Sequence, residues 1–192
     1  MFEFLGCQIN AEIPIEQMAA IVRTESSVRQ YAIGVVGGAL NRQPENADEA
    51  TAAVEMLKTS GRNYSVGLAQ VNQVNFKRYG LNASNMFHTC TNLNAGAKIL
   101  EACFVQHKDW QKAYSCYYSG DPVTGFHHGY VRKVSGNLNK PIPQTLTPPK
   151  VSIHQQPIIV FVANQKATQT KKPQAVRVHL TLMQRRLASS FN

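Results

Sequence analysis

Glu25 is the residue in this chain whose setting most directly suggests proton chemistry. Ile15, Met18, Ala19 and Val22 recur at the i, i+3, i+4, i+7 spacing of a buried helical stripe, and Glu25 continues it, i+7 from Met18 and i+3 from Val22. A carboxyl group on the apolar face of a helix is aimed inward. There the charged form loses hydration, the pKa rises, and the acid can hold a proton near neutral pH for donation. A Glu at a fraying helix end, turned to water, fits the same spacing, and periodicity alone does not separate the two. A second stretch, Gly67-Leu68-Ala69-Gln70-Val71-Asn72, combines a glycine suited to close backbone approach with the amides Gln70 and Asn72, which could be presented into a cleft. A third, Trp110 to Tyr118, places Trp110, Ala113, Tyr114 and Tyr117 at helical spacing. Such an aromatic stripe is more often core than ligand platform.

The elements that must position these groups can be read from the same rows. Pro14 begins a helix that runs to about Thr24 or Glu25. Tyr31 to Leu40 is a short strand or extended loop punctuated by glycine, and Asn41 to Ala47, with Pro44, is a surface loop. Asp48 to Thr59 reads as a second helix capped by Asn46, with Ala50, Val54 and Leu57 as its stripe and Gly61 beyond its end. Cys90 to Asn94 leads into a third, with Leu93, Ala97, Leu100 and Phe104 inward; Asp109 caps a fourth, Trp110 to Tyr118, which Gly120 ends. Phe126 to Val134 adds a last short helix.

Beyond about Gly136 the composition changes. Six of the nine prolines fall there, acids are absent, and Gln, Thr and Lys dominate, as in a linker or extended tail. Ile158-Ile159-Val160-Phe161-Val162 interrupts it as a lone strand, a docking segment for a partner's sheet edge, or half of a hairpin with Val176 to Leu182. Residues 1 to 121 carry 10 Lys/Arg against all 11 Asp/Glu, whereas residues 122 to 192 carry 10 Lys/Arg and no acid, so the net charge of +9 comes from the C-terminal third. A basic, acid-free tail favours polyanions: nucleic acid, anionic lipid or an acidic envelope polymer. No run approaches the roughly 18 apolar residues needed to cross a bilayer. The first residues lack the basic and long apolar regions of a signal peptide, so either export uses another route or the leader is missing from this start. Cys7, Cys90, Cys103 and Cys116 contain no CxxC pair and suit no common zinc pattern; three disulfide pairings, or four buried thiols, are open. His127-His128 is a faint metal signal and reads as solvent-facing loop.

In combination, Glu25-Ser26, Gly67-Leu68-Ala69-Gln70 and Cys116-Tyr117-Tyr118-Ser119-Gly120 resemble, in order and spacing, the soluble lytic transglycosylase domain, which is lysozyme-like. They correspond to that family's Glu-Ser, Gly-Leu-Met-Gln and Ala-Tyr-Asn-x-Gly motifs, with Ala69 in place of Met and Tyr118 in place of Asn. The inserted helix between the first two motifs, Tyr31 to Val35, Asn72 with Asn75-Phe76, and Cys90-Thr91-Asn92-Leu93 resemble the branch that accompanies type IV secretion and conjugation systems.

The resemblance implies a mainly α, lysozyme-like α+β domain over residues 1–138 with a small extended or β segment, followed by a basic, Pro-rich, largely extended tail over 139–192. It implies an exported protein of the periplasm or cell envelope that acts on peptidoglycan without cofactor or metal. The disulfides it implies are Cys7–Cys90 and Cys103–Cys116. It makes Glu25 the acid and then the base that cleaves the β-1,4 bond between N-acetylmuramic acid and N-acetylglucosamine, the muramyl 6-hydroxyl closing a 1,6-anhydro ring. Ser26, Gln70, Asn72, Tyr117 and Tyr118 would contact or position substrate, Tyr117 as the tyrosine that partners the acid, while Gly67, Leu68 and Gly120 shape the motifs. Ordinary glycosidases need two carboxylates. Only Glu25 lies in a motif, and a substrate-supplied nucleophile removes the need for a second. A hydrolytic muramidase would need one more acid, for which Glu45, Asp48, Glu49 and Glu55 are the candidates; a non-catalytic wall-binding scaffold is the remaining reading. The tail would recruit secretion-system proteins or the envelope, or bind nucleic acid.

Overall fold

A computed structural model describes residues 1–148 and 157–162. A hairpin of β1 (Phe2–Phe4) and β2 (Cys7–Ile9) precedes α1 (Ile15–Ser26). The extended stretch after α1 resolves into β3 (Ile33–Val35) and β4 (Gly38–Leu40), followed by α2 (Ala47–Thr59), β5 (Tyr64–Val66) and β6 (Val71–Asn72). The strands β3, β5 and β6 form one antiparallel sheet with β5 central. A 3-10 turn at Gln73–Asn75 and the short α3 (Phe76–Tyr79) lead to α4 (Thr89–His107) and α5 (Trp110–Ser119). Two helices follow, α6 (Thr124–His127) and α7 (Tyr130–Leu138), and a final strand, β7 (Val160–Val162), pairs antiparallel with β4. The result is the α-rich α+β architecture expected of a lysozyme-like domain.

Local chemistry explains most boundaries. Pro14 stands at the N-cap of α1 with φ −63°, already suited to helix entry. Asn46 Oδ1 accepts from Glu49 N at 2.9 Å and Asp109 Oδ1 from Lys112 N at 2.8 Å, so both caps read from the sequence are made. Where Phe126 to Val134 reads as one helix, the chain makes two, because Gly129 takes φ +70° between them. The β1–β2 hairpin and α3 escape a periodicity argument because both are too short to show a period. Helix α1 stops at Ser27 and Val28, both left-handed at φ 54° and 63°. For β-branched Val28 that conformation is unfavourable, so the turn depends on what surrounds it.

The core gathers Met18, Ile21 and Val22 of α1, Leu93 and Leu100 of α4, and Tyr114 and Tyr117 of α5, all buried. Helix α4 packs along α5, and α1 along α7. The chain beyond α7 does not leave this body at once. The Arg23 guanidinium donates to the Pro141 carbonyl, Thr147 N donates to Val28 O at 2.9 Å, and Thr147 Oγ1 donates to Ser27 O at 2.7 Å, so residues 141–147 hold the strained turn that ends α1. Farther on, Ile158–Val162 takes the strand option within its own chain, with Asn41 exchanging hydrogen bonds with Pro157 and Ile159 beside it. The hairpin with Val176 to Leu182 lies outside the described residues.

Cys7 is bonded to Cys90 and Cys103 to Cys116. The first ties the N-terminal hairpin to the start of α4 across a sequence separation of 83; the second staples α4 to α5 across 13. In the chain-entropy picture, opening the longer loop costs about 4.5 kcal/mol and the shorter about 3 kcal/mol. A Cys7→Ser/Cys90→Ser double variant should therefore lose more unfolding free energy in urea than Cys103→Ser/Cys116→Ser. Equal losses would mean that native contacts, not loop closure, set the difference.

Candidate functional site

Glu25 occupies the last turn of α1, half-buried, where the apolar stripe of Met18 and Val22 delivers it. Its Oε1 accepts a hydrogen bond from Tyr130 Oη at 2.5 Å. Tyr130 is buried at the first position of α7, so the α1–α7 packing sets this contact. Burial first, and the neighbouring Glu25 charge second, hold the Tyr130 hydroxyl well above its ordinary pKa, which keeps it a proton-bearing donor at neutral pH. Tyr118 stacks on the Tyr130 ring at 4.6 Å between centroids, and its hydroxyl lies 3.3 Å from His128 Nδ1. The residue that stands where the family motif has Asn thus braces the tyrosine that holds the acid.

The second motif is built around the backbone of Ala69. Gly67 adopts φ +77°, and a Cβ there would overlap the Asn92 amide. Asn92, buried on α4, uses that space: its Oδ1 accepts from Ala69 N at 2.9 Å and its Nδ2 donates to Val66 O at 2.9 Å and Met86 O at 3.0 Å. On the other side Tyr117 Oη donates to Ala69 O at 2.6 Å. Gly96 lets these layers meet, since a Cβ there would overlap the Ala69 methyl and approach Tyr117 Oη. The Tyr117 hydroxyl thus donates to Ala69 O, and the hydroxyl that donates to Glu25 Oε1 belongs to Tyr130. Tyr117 still lies close enough that Glu25, after burial itself, raises its pKa.

The other expected site residues are accounted for as follows. Gln70, left-handed at φ 46° and buried, donates through Nε2 to Ala32 O at 2.9 Å and Gly67 O at 3.0 Å. Asn72 Nδ2 reaches Asn63 Oδ1 and Tyr64 O, both at 2.8 Å, and its Oδ1 accepts from Val74 N. The Ser26 hydroxyl turns back to Val22 O at 3.0 Å within α1. Leu68 is buried, and Gly120 caps α5 at φ 79°. Of these, Gln70 closes the corner that carries the motif onto Ala32 and Gly67. Tyr130 was not singled out by sequence reasoning and Asn92 only as part of the Cys90-Thr91-Asn92-Leu93 segment, although Tyr130 stands at a helical start and Asn92 lies one residue before the apolar stripe of α4. Among the described residues no group of three or more His, Cys, Asp and Glu gathers to hold a metal, and no helix is long and apolar enough to cross a membrane.

Replacing Asn92 by Ala would strand the Ala69 N–H and the Val66 and Met86 carbonyls together. The expected loss of unfolding free energy is about 2 to 4 kcal/mol, because buried partners left unpaired cost more than the bonds contribute. A loss below about 1 kcal/mol in chemical denaturation would show that water replaces the amide.

The comparisons with known proteins follow the same geometry. Residues 7–139 match the model of the transglycosylase SLT domain. The chain is 39% identical over 158 residues to the type IV secretion system protein virB1 of Brucella abortus, covering 73% of this chain and 66% of that protein. It is 28% identical over 158 residues to protein virB1 of Rhizobium radiobacter, covering 78% of this chain and 65% of the relative. To protein virB1 of Agrobacterium fabrum it is 30% identical over 142 residues, covering 69% and 57%. The alignment therefore takes in no more than about two-thirds of the length of these relatives. No solved structure matches significantly. The matched span contains Glu25, the Gly67–Gln70 corner and the tyrosines around them, and the chain belongs to the transglycosylase SLT domain family.

Proposed function

We propose that the chain is a peptidoglycan lytic transglycosylase that cleaves the β-1,4 bond between N-acetylmuramic acid and N-acetylglucosamine and releases a 1,6-anhydro-muramic end, opening the wall locally for a type IV secretion or conjugation apparatus. The observation that carries the reading is the Tyr130 Oη to Glu25 Oε1 hydrogen bond at 2.5 Å, which orients a carboxyl group placed on the helix stripe that the family motif marks. Glu25 donates its proton to the departing glycosidic oxygen, then takes the proton of the muramyl 6-hydroxyl as that oxygen attacks the anomeric carbon. Tyr130 fixes the carboxyl through both steps. Gln70, Tyr117, Tyr118, Ser26 and Asn72 position the cleft's wall, and no metal or cofactor is required. The relatives' printed names support the transport setting, and the two disulfides suit the oxidising periplasm.

A hydrolytic muramidase would need a second carboxylate near Glu25. Glu49 is taken by Arg42 at 2.6 Å, an ion pair whose hydrogen bonds lower its pKa, and Glu55 lies beside Lys58 at 3.7 Å on an exposed helix face. The commitments of these two of the four candidate acids support the substrate-assisted route.

Glu25→Gln should lower release of soluble wall fragments by about 100- to 10,000-fold, and Tyr130→Phe by about tenfold with KM little changed. Mass analysis of the digest should find anhydro ends. Reducing ends would make the chain a muramidase, and an inert wild type would leave the scaffold reading. For the tail, truncation after residue 162 should keep wall cleavage and impair transfer through the apparatus, whereas truncation after residue 140 should also lower thermal stability, because it removes the Pro141, Thr147 and β7 contacts. Normal transfer by the longer truncate would exclude a recruiting role for residues 163–192.

A further inference from the structure

The carbonyls at the C-terminal end of a helix have no donor within the helix, and those that end α1 find theirs partly far away in the chain. Arg23 O accepts from Ser27 N and Ser26 O from Arg29 N, each at 3.2 Å, so both are served locally. The next two carbonyls are served by a single distant residue. Thr147 Oγ1 donates to Ser27 O at 2.7 Å, and Thr147 N donates to Val28 O at 2.9 Å. Ser27 and Val28 are both left-handed, at φ 54° and 63°, and a β-branched valine keeps that conformation only where its surroundings impose it. Burial of the Val28 side chain is one such constraint and the pair of bonds from Thr147 is a second. The segment that delivers Thr147 is anchored along its length. Asn137 Nδ2 donates to Thr24 Oγ1 at 3.0 Å, the Arg23 guanidinium donates to Pro141 O, and Ile142 and Leu146 pack against the core.

We propose that Thr147 is a positioning residue for the reaction: by pinning the Ser27–Val28 turn it fixes the last turn of α1, and with it the direction in which Glu25 meets Tyr130. The assignment rests on the lytic transglycosylase reading above. Glu25 lies two residues before Ser27, inside the turn that the Ser27 N to Arg23 O bond closes. Helix ends open locally at little cost unless their terminal groups are satisfied. When Ser27 and Val28 relax out of the left-handed region, that closing bond is lost and the carboxyl swings away from the Tyr130 hydroxyl, which it meets at 2.5 Å. A group that must hand over a proton tolerates a displacement of only a fraction of an ångström. Tyr130 does not supply this constraint by itself, because it grips the carboxyl from α7 and leaves the backbone that carries Glu25 to be set from the end of α1. The start of the proline-rich segment thus has a part in the chemistry as well as in the fold.

The test uses the full chain and peptidoglycan strands as substrate. Thr147→Val removes the hydroxyl and keeps the shape, and should lower kcat about threefold with KM unchanged, the effect of one exposed neutral hydrogen bond. Thr147→Pro removes the N–H as well and should lower kcat about tenfold. Thr147→Ser keeps both donors and should run at the wild-type rate. Asn41→Ala deletes the side-chain bonds to Pro157 and Ile159, loosening the later part of the segment, and should leave kcat unchanged. In NMR, amide hydrogens of Ser27 and Arg29 should exchange faster in Thr147→Val and faster still in Thr147→Pro. An unchanged kcat in Thr147→Pro, a loss carried by KM, a Thr147→Ser variant as slow as Thr147→Val, or an equal loss in Asn41→Ala would each overturn the proposal, as would unchanged amide exchange in Thr147→Pro. If the wild type cleaves no glycan while Thr147→Pro still speeds exchange of these amides, the transglycosylase reading fails and the hold of Thr147 on the turn stands.

Discussion

The peptide group of Ala69 is held from both faces, and the arrangement of the site follows from that. Its N–H goes to the Asn92 side chain on α4 and its carbonyl to the Tyr117 hydroxyl on α5, all three residues being buried. A loop containing the left-handed residues Gly67 and Gln70 would otherwise be among the softest parts of the chain. Here it is tied to the two helices that form the interior and that the Cys103–Cys116 bond staples to each other. Gln70 is fixed in turn, because its amide closes the same corner onto Ala32 and Gly67. Buried polar networks of this kind are stabilising only when every member is satisfied, so the corner tolerates little substitution.

The carboxylate side of the site is organised by a different contact but the same logic. Glu25 reaches it by helix periodicity, which needs nothing beyond local sequence. Tyr130 reaches it by the packing of α7 on α1, which brings together residues 105 apart in the chain. That difference explains what the sequence made legible. The caps Asn46 and Asp109, the stripes of α1, α2, α4 and α5, and the three motif segments all express themselves within a few residues and are readable as written. The hydroxyl that orients Glu25 is not. Tyr117 and Tyr130 are both tyrosines near a helical apolar face, and only the three-dimensional path decides which donates to the acid and which to the backbone. The part played by Asn92 is hidden for a related reason: an amide beside an apolar stripe looks like an imperfection until the loop it satisfies is folded against it. The β7 pairing with β4 joins strands some 120 residues apart, and Ile158–Val162 by itself is compatible with several partners.

The segment that follows α7 shows how composition can mislead about attachment while describing conformation well. Residues 141–148 are extended and proline-rich, as the composition implies, yet they lie against the domain. The backbone hydrogen bond from Thr147 to Val28 needs no side-chain pattern, the Thr147 hydroxyl meets the Ser27 carbonyl, and Arg23 meets a carbonyl, a group every residue carries. Composition reports whether a segment can bury a core of its own; it is silent on whether a folded neighbour offers it unsatisfied donors and acceptors. The left-handed Ser27–Val28 turn is such a neighbour, and it follows directly on Glu25-Ser26.

The two tyrosines near Glu25 differ in hydrogen-bond partner but share a protonation state. Both phenols are raised by burial first and by the Glu25 charge second, so both remain protonated across the pH range in which a carboxyl group exchanges its proton. A protonated phenol is a donor that does not compete for the proton being moved. Tyr130 can therefore stay hydrogen-bonded to Glu25 whether the carboxyl is charged or neutral. Tyr118 stacks on that ring at 4.6 Å between centroids. An Asn at position 118 could offer hydrogen bonds to a bound sugar but could not brace Tyr130 through its ring face. In this chain Tyr118, standing where the family motif has Asn, stacks on the tyrosine that donates to Glu25.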